Sequence, residues 1–424
     1  MKFDDLQSWL SWQETLHFTE IELGLERIQK VASAMGIGAH WPIPVITVAG
    51  TNGKGSSVAI LEAIFQHAGY RVGSYTSPHL IHYNERIKIN RQPVSDQLIC
   101  TAFEQVEQAR HAGAEISLTY FEFGTLAALS ILKQADLDLV ILEVGLGGRL
   151  DAVNIIDAEI VLLTPVALDH QGWLGNSREE IGAEKAGVIK PGTVVVCSDP
   201  QPTNAVMDRA NEKARALYCL GGDFSFTATA GKAKFQSETV ELDNLPLPQL
   251  HGDYQLDNAA AAIQVSLLLN NRLSVNKQAL EAALTDIQLK GRYQRIALAP
   301  DIIIDVAHNA QAVSALASNL KAEPCSGRTL AVLAMLEDKS IAEALQQIDI
   351  QIDHYYLSGL DGSRALSAEA LKQRLQQSVS SDKLSTELTV QQAIKRALSE
   401  ADDNDRLVIF GSFLTVSAAI ELLQ

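Results

Sequence analysis

The sequence predicts an α/β protein built on mostly parallel sheets and divided into two domains. Three observations predict it. Short apolar runs alternate with helical patterns along the 424 residues, which is the signature of parallel α/β architecture. A glycine-rich stretch, GTNGKGS at Gly50–Ser56, stands between an apolar run and a helical pattern. The alternation breaks over Phe224–Leu245, where Thr-rich residues alternate without a helical period, and resumes near residue 300.

In order, Val45–Ala49 reads as a buried strand, followed by a glycine turn and a helix from about Ser57 to Ala68. Arg71–Tyr75, Leu137–Leu142, Ile160–Thr164 and Thr193–Cys197 continue this first series. The 224–245 stretch reads as antiparallel strands at the edge of the first domain. Asp301–Val306, Thr329–Met335, Tyr355–Leu357 and Arg406–Phe410 form a second series. Lys290–Tyr293 lies between the two as a linker, so the domains are expected at 1–295 and 296–424, the second being smaller.

Composition narrows the function. Hydrophobic residues at 47% and charged residues at 20% describe a globular chain with large cores. Lys and Arg number 34 against 51 Asp and Glu, a net charge of −17. That balance excludes nonspecific grip on nucleic acid or anionic membrane, which needs clustered basic residues. Phosphate ligands stay open, because backbone N–H groups and magnesium hold nucleotides in acidic proteins. Cys100, Cys197, Cys219 and Cys325 lie far apart, with no CxxC pair and no zinc spacing, which points to free thiols in a reducing compartment. The start, MKFDDLQSWL, is acidic and has no long apolar core, unlike a signal peptide. Leu407–Leu423 is broken by Gly411, Ser412, Thr415 and Ser417 and carries Glu421. It reads as strand, turn and amphipathic helix, not as a membrane span. The expectation is a soluble cytoplasmic protein without nucleic-acid or membrane partners.

GTNGKGS is the strongest local signal. A glycine loop between strand and helix aims successive N–H groups at phosphate oxygens, and Lys54 adds charge. Its spacing departs from GxxxxGK[ST]: Val48 stands at the first glycine, Gly55 follows Lys54, and the hydroxyl comes later, from Ser56 or Ser57. The plain alternative is a glycine turn with an exposed lysine. Glu143 closes the apolar run LDLVIL, where a magnesium ligand is needed beside a phosphate loop; it also suits a simple turn cap. Asp169 and His170 follow the Ile160–Thr164 run in the same position relative to the sheet, although a lone histidine is more often structural and magnesium prefers oxygen. Ser177–Glu180 reads as a capping box. Behind it Ile181, Lys185 and Val188 follow an i, i+4, i+7 stripe, placing Lys185 on the apolar face. A lysine buried there is costly unless it snorkels to a carboxylate partner or is chemically changed.

These stretches occur in order with TSPHL (Thr76–Leu80), LTYFEFGT (Leu118–Thr125), LEVGLGGRLDA (Leu142–Ala152), LDH (Leu168–His170), EKAGVIK (Glu184–Lys190), DVAHN (Asp305–Asn309) and GSF (Gly411–Phe413). Together they resemble the folylpolyglutamate synthase family of the Mur-ligase superfamily, over nearly the whole chain. The irregular phosphate-loop spacing is the family's own.

The resemblance implies a Mur-ligase-like P-loop ATPase domain with a mostly parallel sheet and a smaller, Rossmann-like C-terminal glutamate-ligase domain. It implies ATP-dependent addition of L-glutamate to dihydropteroate and to reduced folates through an acyl phosphate, inside closing domains. The alternatives are a Mur-type ligase acting on another carboxylate, disfavoured because the loop starts too early for a UDP-sugar domain, and a regulatory P-loop protein. Thr51, Asn52, Gly53 and Lys54 match contacts to ATP phosphates, and Asn258, Arg292 and Asp305 match other nucleotide contacts. Ser77, Glu143 and His170 match ligands of one or two magnesium ions. Lys185 matches a lysine that becomes N-carboxylated and holds a second metal. Thr119, Tyr120, Phe121, Glu122, Leu150, Asp151 and Ala152 match pterin contacts, with Leu23–Arg27 beside them. His308 and Ser412 match residues that position glutamate, and a monomer is implied.

Overall fold

A computed structural model of the protein describes residues 2–339, 341–362 and 365–424. The first sheet draws on Val45–Ala49 (β1), Val72–Tyr75 (β2), Ile87–Ile89 (β3), Gln92–Pro93 (β4), Leu139–Glu143 (β5), Ile160–Leu163 (β6), Val194–Cys197 (β7) and Ala216–Cys219 (β8). Its order is β4-β3-β2-β5-β1-β6-β7-β8. The six strands from β2 to β8 run parallel, and only β3 and β4 add antiparallel pairs at one edge. Every residue of β1, β5, β6 and β7 is buried. That burial explains their unbroken Val/Ile/Leu runs, since helices cover both faces of a parallel sheet.

Phe224–Thr229 (β9), Lys232–Ser237 (β10) and Glu241–Pro246 (β11) form a separate antiparallel sheet, as the alternating Thr-rich stretch predicts. Phe224, Phe226, Phe235 and Leu245 turn one face inward, while Thr227 and Thr229 stay exposed. The third sheet uses Gln294–Leu298 (β12), Asp301–Asp305 (β13), Thr329–Leu333 (β14), His354–Ser358 (β15), Leu384–Glu387 (β16) and Arg406–Phe410 (β17), in the order β12-β13-β17-β14-β15-β16. Only the β12–β13 hairpin is antiparallel. Its core includes Ile303, Leu333, Tyr355, Leu357 and Phe410, all fully buried. Burial of each such side chain contributes roughly 1.5–3 kcal/mol.

The chain forms two compact units. The first holds the stretch up to Val166, Arg178–Pro248 and Leu256–Ile287; the second holds Ala167–Ser177, Gln249–Gln255 and Gln288–Gln424. The loop carrying Asp169 and His170 therefore groups with the second unit, not with the sheet whose strand β6 it follows. Lys290–Tyr293 is no slack linker either: Tyr293 is 1% exposed, and its N–H donates to Asp305 Oδ2 at 2.7 Å. An aromatic ring of that size is too apolar to trail through water.

The helix after the glycine turn starts at Lys54, three residues earlier than the sequence predicts, and runs to His67. Positive φ at Gly53 lets the backbone turn straight into it. The helix after the proposed capping box spans Arg178–Ala186, with Ile181 and Lys185 buried. Val188 lies beyond its end yet is 2% exposed, so the following turn completes the apolar stripe. Residues 407–423 form strand, turn and helix as expected. All four cysteines are free thiols. Among the described residues no helix is long and apolar enough to cross a membrane.

Candidate active site

In the first unit, parallel pairing aligns the carboxyl ends of β1, β2, β5 and β6 along one edge. The strand order reverses at β1, the position where open α/β sheets hold ligands. From that edge the chain enters Gly50–Gly53. Gly50 has φ +150°, and a Cβ there would collide with the Thr164 hydroxyl and carbonyl. Only glycine lets the loop lie so close to the end of β6. The Thr51 and Asn52 N–H groups donate to Pro165 O at 2.9 and 3.4 Å. Lys54 Nζ donates to Gly50 O at 3.1 Å and Thr51 O at 3.2 Å. Lys185 Nζ, on a side chain buried as expected at 5% exposure, donates to the same Gly50 oxygen at 2.8 Å. Two ammonium groups thus crowd one carbonyl at a helix N-terminus, where the backbone dipole is already positive. Such a spot attracts a polyanion. Asn258, on the helix Tyr254–Leu268, joins it, with Oδ1 accepting from Ser57 Oγ at 3.4 Å.

Glu143 is the last residue of β5 and is 5% exposed. It pairs in register with Val48 of β1, and its Oε2 accepts the Ser77 N–H at 3.1 Å. Ser77 follows β2 closely, so both sit at the loop end of the sheet. Their hard oxygens suit magnesium, which usually takes only one or two carboxylates and fills its octahedron with phosphates and water. Among the described residues no group of three or more His, Cys, Asp or Glu side chains gathers to hold a metal alone.

The residues expected on the acceptor side lie on neighbouring elements. Thr119 caps the helix Tyr120–Gln134, its Oγ1 accepting the Glu122 N–H while Glu122 Oε2 accepts the Thr119 N–H at 2.8 Å. Glu122 also meets Arg27 Nη2 at 3.3 Å. Its carboxylate is therefore already held by the cap and by a cation. Phe121 stacks on Tyr75 with ring centres 6.1 Å apart. Asp151 is 2% exposed, accepting the Leu146 and Val153 N–H groups at 2.8 and 3.0 Å. Burial lifts its pKa to about 6, against the opposing pull of those amides and of Lys54. Leu150 is half-buried beside it and Ala152 is buried. This glycine loop packs on the Lys185 helix: a Cβ on Gly148 would come within 2.7 Å of Lys185 O.

A second cluster forms within the second unit. Asp169 is 9% exposed and takes Lys339 Nζ at 2.6 Å, His308 Nε2 at 3.3 Å and Asn309 Nδ2 at 3.3 Å. Burial opposes its ionisation, but the His308 hydrogen bond and the Lys339 charge outweigh it and hold the carboxyl well below its ordinary range. His308 Nδ1 points to Val306 O at 2.8 Å, which fixes the ring. His170 has φ +52°, a left-handed conformation strained for histidine, and among the described residues its buried Nδ1 has no hydrogen-bond partner, with Asp338 Oδ2 3.8 Å away. Burial, with Lys339 nearby, lowers its pKa to about 4, so the ring is a neutral nitrogen donor. Asp305 accepts the Tyr293 and Ala307 N–H groups, both at 2.7 Å, with burial raising its pKa against the nearby Arg292 charge. Arg292 lies over the Phe413 ring at 5.3 Å. Ser412 caps the last helix, its Oγ accepting the Thr415 N–H at 3.0 Å. Sequence reasoning gives Lys339 no role. Its signal was a place on the segment that leaves the buried strand β14, six residues past Leu333.

Two domain families match this chain: the Mur ligase middle domain over residues 48–266 and the Mur ligase glutamate ligase domain over 291–413. The dihydrofolate synthase/folylpolyglutamate synthase of Escherichia coli (strain K12) is 41% identical over 419 residues, covering 99% of this chain and 96% of that protein. This chain belongs to the dihydrofolate synthase/folylpolyglutamate synthase family. Among solved members of that family, E. coli FolC in complex with DHPP and ADP matches with a TM-score of 0.91 at 41% identity, over 99% of this chain and 97% of that one. A bifunctional folylpolyglutamate synthase/dihydrofolate synthase with Mn, AMPPNP and L-glutamate bound matches with a TM-score of 0.89 at 40% identity, over 99% and 98%. The family assignment agrees with the order of motifs along the sequence and with both α/β units.

Proposed function

We propose that this chain is an ATP-dependent carboxylate–amine ligase that adds L-glutamate to dihydropteroate and to reduced folates. The observation that carries the proposal is the pair of lysines, Lys54 and Lys185, on the Gly50 carbonyl of a strand–loop–helix phosphate site. The family relatives support the substrates: one is a dihydrofolate synthase/folylpolyglutamate synthase, and solved relatives hold DHPP and ADP, or Mn, AMPPNP and L-glutamate.

A carboxylate is a poor acyl donor, so ATP first converts it to an acyl phosphate. The glutamate amine attacks that carbonyl, and phosphate leaves. In this reading Thr51, Asn52, Gly53 and Lys54 hold the phosphates, and Lys54 offsets charge on the transferring group. Asn258, Arg292 and Asp305 hold the rest of the nucleotide. Ser77, Glu143 and His170 are the residues that would hold magnesium, whose positive charge would offset that of the phosphoryl oxygens. Lys185 is proposed to be N-carboxylated, which replaces a buried cation with an anion able to serve as a further metal ligand. Its burial and the neighbouring Lys54 ammonium support this, because two cations on one oxygen repel. Thr119, Tyr120, Phe121, Leu150, Asp151 and Ala152 face the acceptor; Glu122 acts through the helix cap it closes. His308 and Ser412 orient the incoming glutamate. The proposal includes a cytoplasmic monomer with domains at 1–295 and 296–424.

The test is an assay with ATP, magnesium and L-glutamate, offering dihydropteroate and tetrahydrofolate separately. ADP release that requires both an acceptor and glutamate is the expected result. ATP hydrolysis indifferent to both would overturn the proposal.

A further inference from the structure

Arg86 is a buried guanidinium without a carboxylate. It is 9% exposed, and no Asp or Glu among the described residues lies within ion-pair distance of it. Its Nε donates to His79 Nδ1 at 2.8 Å, and its charge sits 5.2 Å from the Tyr83 ring centre and 5.7 Å from that of Tyr120. None of these neighbours supplies an anion. Burial raises the phenol pKa of Tyr83 and takes that of Tyr120 to about 12, so both rings stay neutral. His79 Nδ1 accepts the Arg86 Nε–H, so that nitrogen carries no proton and the ring brings no negative charge. The adjacent acid, Glu85, is committed elsewhere: it accepts the Leu80, Ile81 and His82 N–H groups at 2.8, 3.0 and 2.9 Å.

The arginine is also held in place. The Thr76 N–H donates to Arg86 O at 2.8 Å, tying the short helical turn Tyr83–Arg86 to the Thr76–Leu80 strap. A buried charge met by ring faces, the Tyr75 phenol and a neutral imidazole, none of them an anion, is unfavourable. A carboxylate would complete it, and guanidinium matches carboxylate by paired N–H donors.

We infer that Arg86 is a binding residue for a carboxylate of the acceptor substrate, received beside the Tyr120 ring. This inference rests on the ligase reading, since Tyr120 is assigned there to the acceptor side. Dihydropteroate carries one carboxylate, the one that reacts. A folyl monoglutamate carries two, of which one does not react. Arg86 distinguishes neutral from anionic ligands in either case.

The experiment measures binding of dihydropteroate, tetrahydrofolate and a carboxyl-free reduced pterin by fluorescence titration, with KM values from the ligation assay. Arg86→Met is compared with wild type, and Arg86→Lys and Arg86→Gln repeat the comparison if it does not fold. The expected result is an acceptor Kd and KM raised at least about tenfold, with the carboxyl-free pterin and the KM for ATP unchanged. Loss confined to tetrahydrofolate assigns Arg86 to the non-reacting carboxylate, and loss with both acceptors assigns it to the reacting one. Equal weakening of the carboxyl-free pterin, or unchanged affinity for both acceptors, would overturn the inference. Binding is read without turnover, so failure of wild type to ligate glutamate would count against the proposed function alone.

Discussion

Lys185 Nζ lies 2.8 Å from the carbonyl oxygen of Gly50, the oxygen that Lys54 also approaches at 3.1 Å. One lysine comes from the helix that follows the loop, the other from a helix more than a hundred residues later. Gly50 is where their charges meet.

Lys54→Ala is expected to lose more than about tenfold in kcat/KM with either acceptor, above ~1.4 kcal/mol of transition-state stabilisation. Its thermal unfolding should stay close to that of wild type, because the hydrogen bonds to the Gly50 and Thr51 carbonyls tie the side chain to its own loop. Steady-state kinetics beside a melting curve decides it. A mutant keeping more than a tenth of wild-type kcat/KM would remove Lys54 from phosphate binding.

Lys185→Ala is expected to be inactive and to regain part of its activity in added acetate, which can enter the vacated space. Lys185→Arg keeps a cation and should not be rescued. Activity against acetate concentration tests both, and an acetate response equal to that of wild type would count against the carbamate.

Glu143→Gln and His170→Ala should each raise the magnesium concentration that half-saturates ATP turnover. An unchanged half-saturation point for His170→Ala would leave its ring without a metal role.

Asp151 carries a pH signature. Its carboxyl titrates near 6 in the folded protein and near 3.8 when unfolded. The folded state therefore binds the extra proton between those values. The associated stability is fully present below the unfolded pKa and is lost as pH rises through about 6. A shift of this size corresponds to roughly 3 kcal/mol. Urea unfolding at a series of pH values should show that decline in wild type and less of it in Asp151→Asn. Parallel curves would show that Asp151 titrates normally.

Lys339 and Asp169 make a buried pair at 2.6 Å. Lys339→Met alone should destabilise by about 3–5 kcal/mol, since it strands a buried carboxylate. Adding Asp169→Asn should recover a large part of that loss in a double-mutant cycle. Additive effects of the two substitutions would show that the pair is not coupled.

Much of the fold is legible in the residues. Runs such as VITVA and LVILE need burial on both faces, and parallel strands follow from that. The glycine loop and Glu143 are legible because strand ends bring them to one edge. Lys185 declares itself by helical spacing alone. The short strands β3, β4, β8 and β16 were not legible: they are two to four residues long and none is buried along its whole length. Nor was Lys339, whose partner Asp169 is 170 positions away in sequence. Sequence pattern records local period, and a charge pair across such a span has none. Glu122 and Ser412 show the opposite case, residues marked by motif whose polar atoms already serve helix caps.

The Asp169 cluster also constrains how this chain can drift. A lineage that loses the Lys339 ammonium inherits an anion without its ammonium partner, held by His308, Asn309 and the His170 N–H. Replacing Asp169 first leaves the buried cation with only the longer pairing to Asp338, at 3.7 Å, among the ion pairs of the described residues. Either route crosses a less stable ancestor, so the two positions are expected to change together or to stay fixed together.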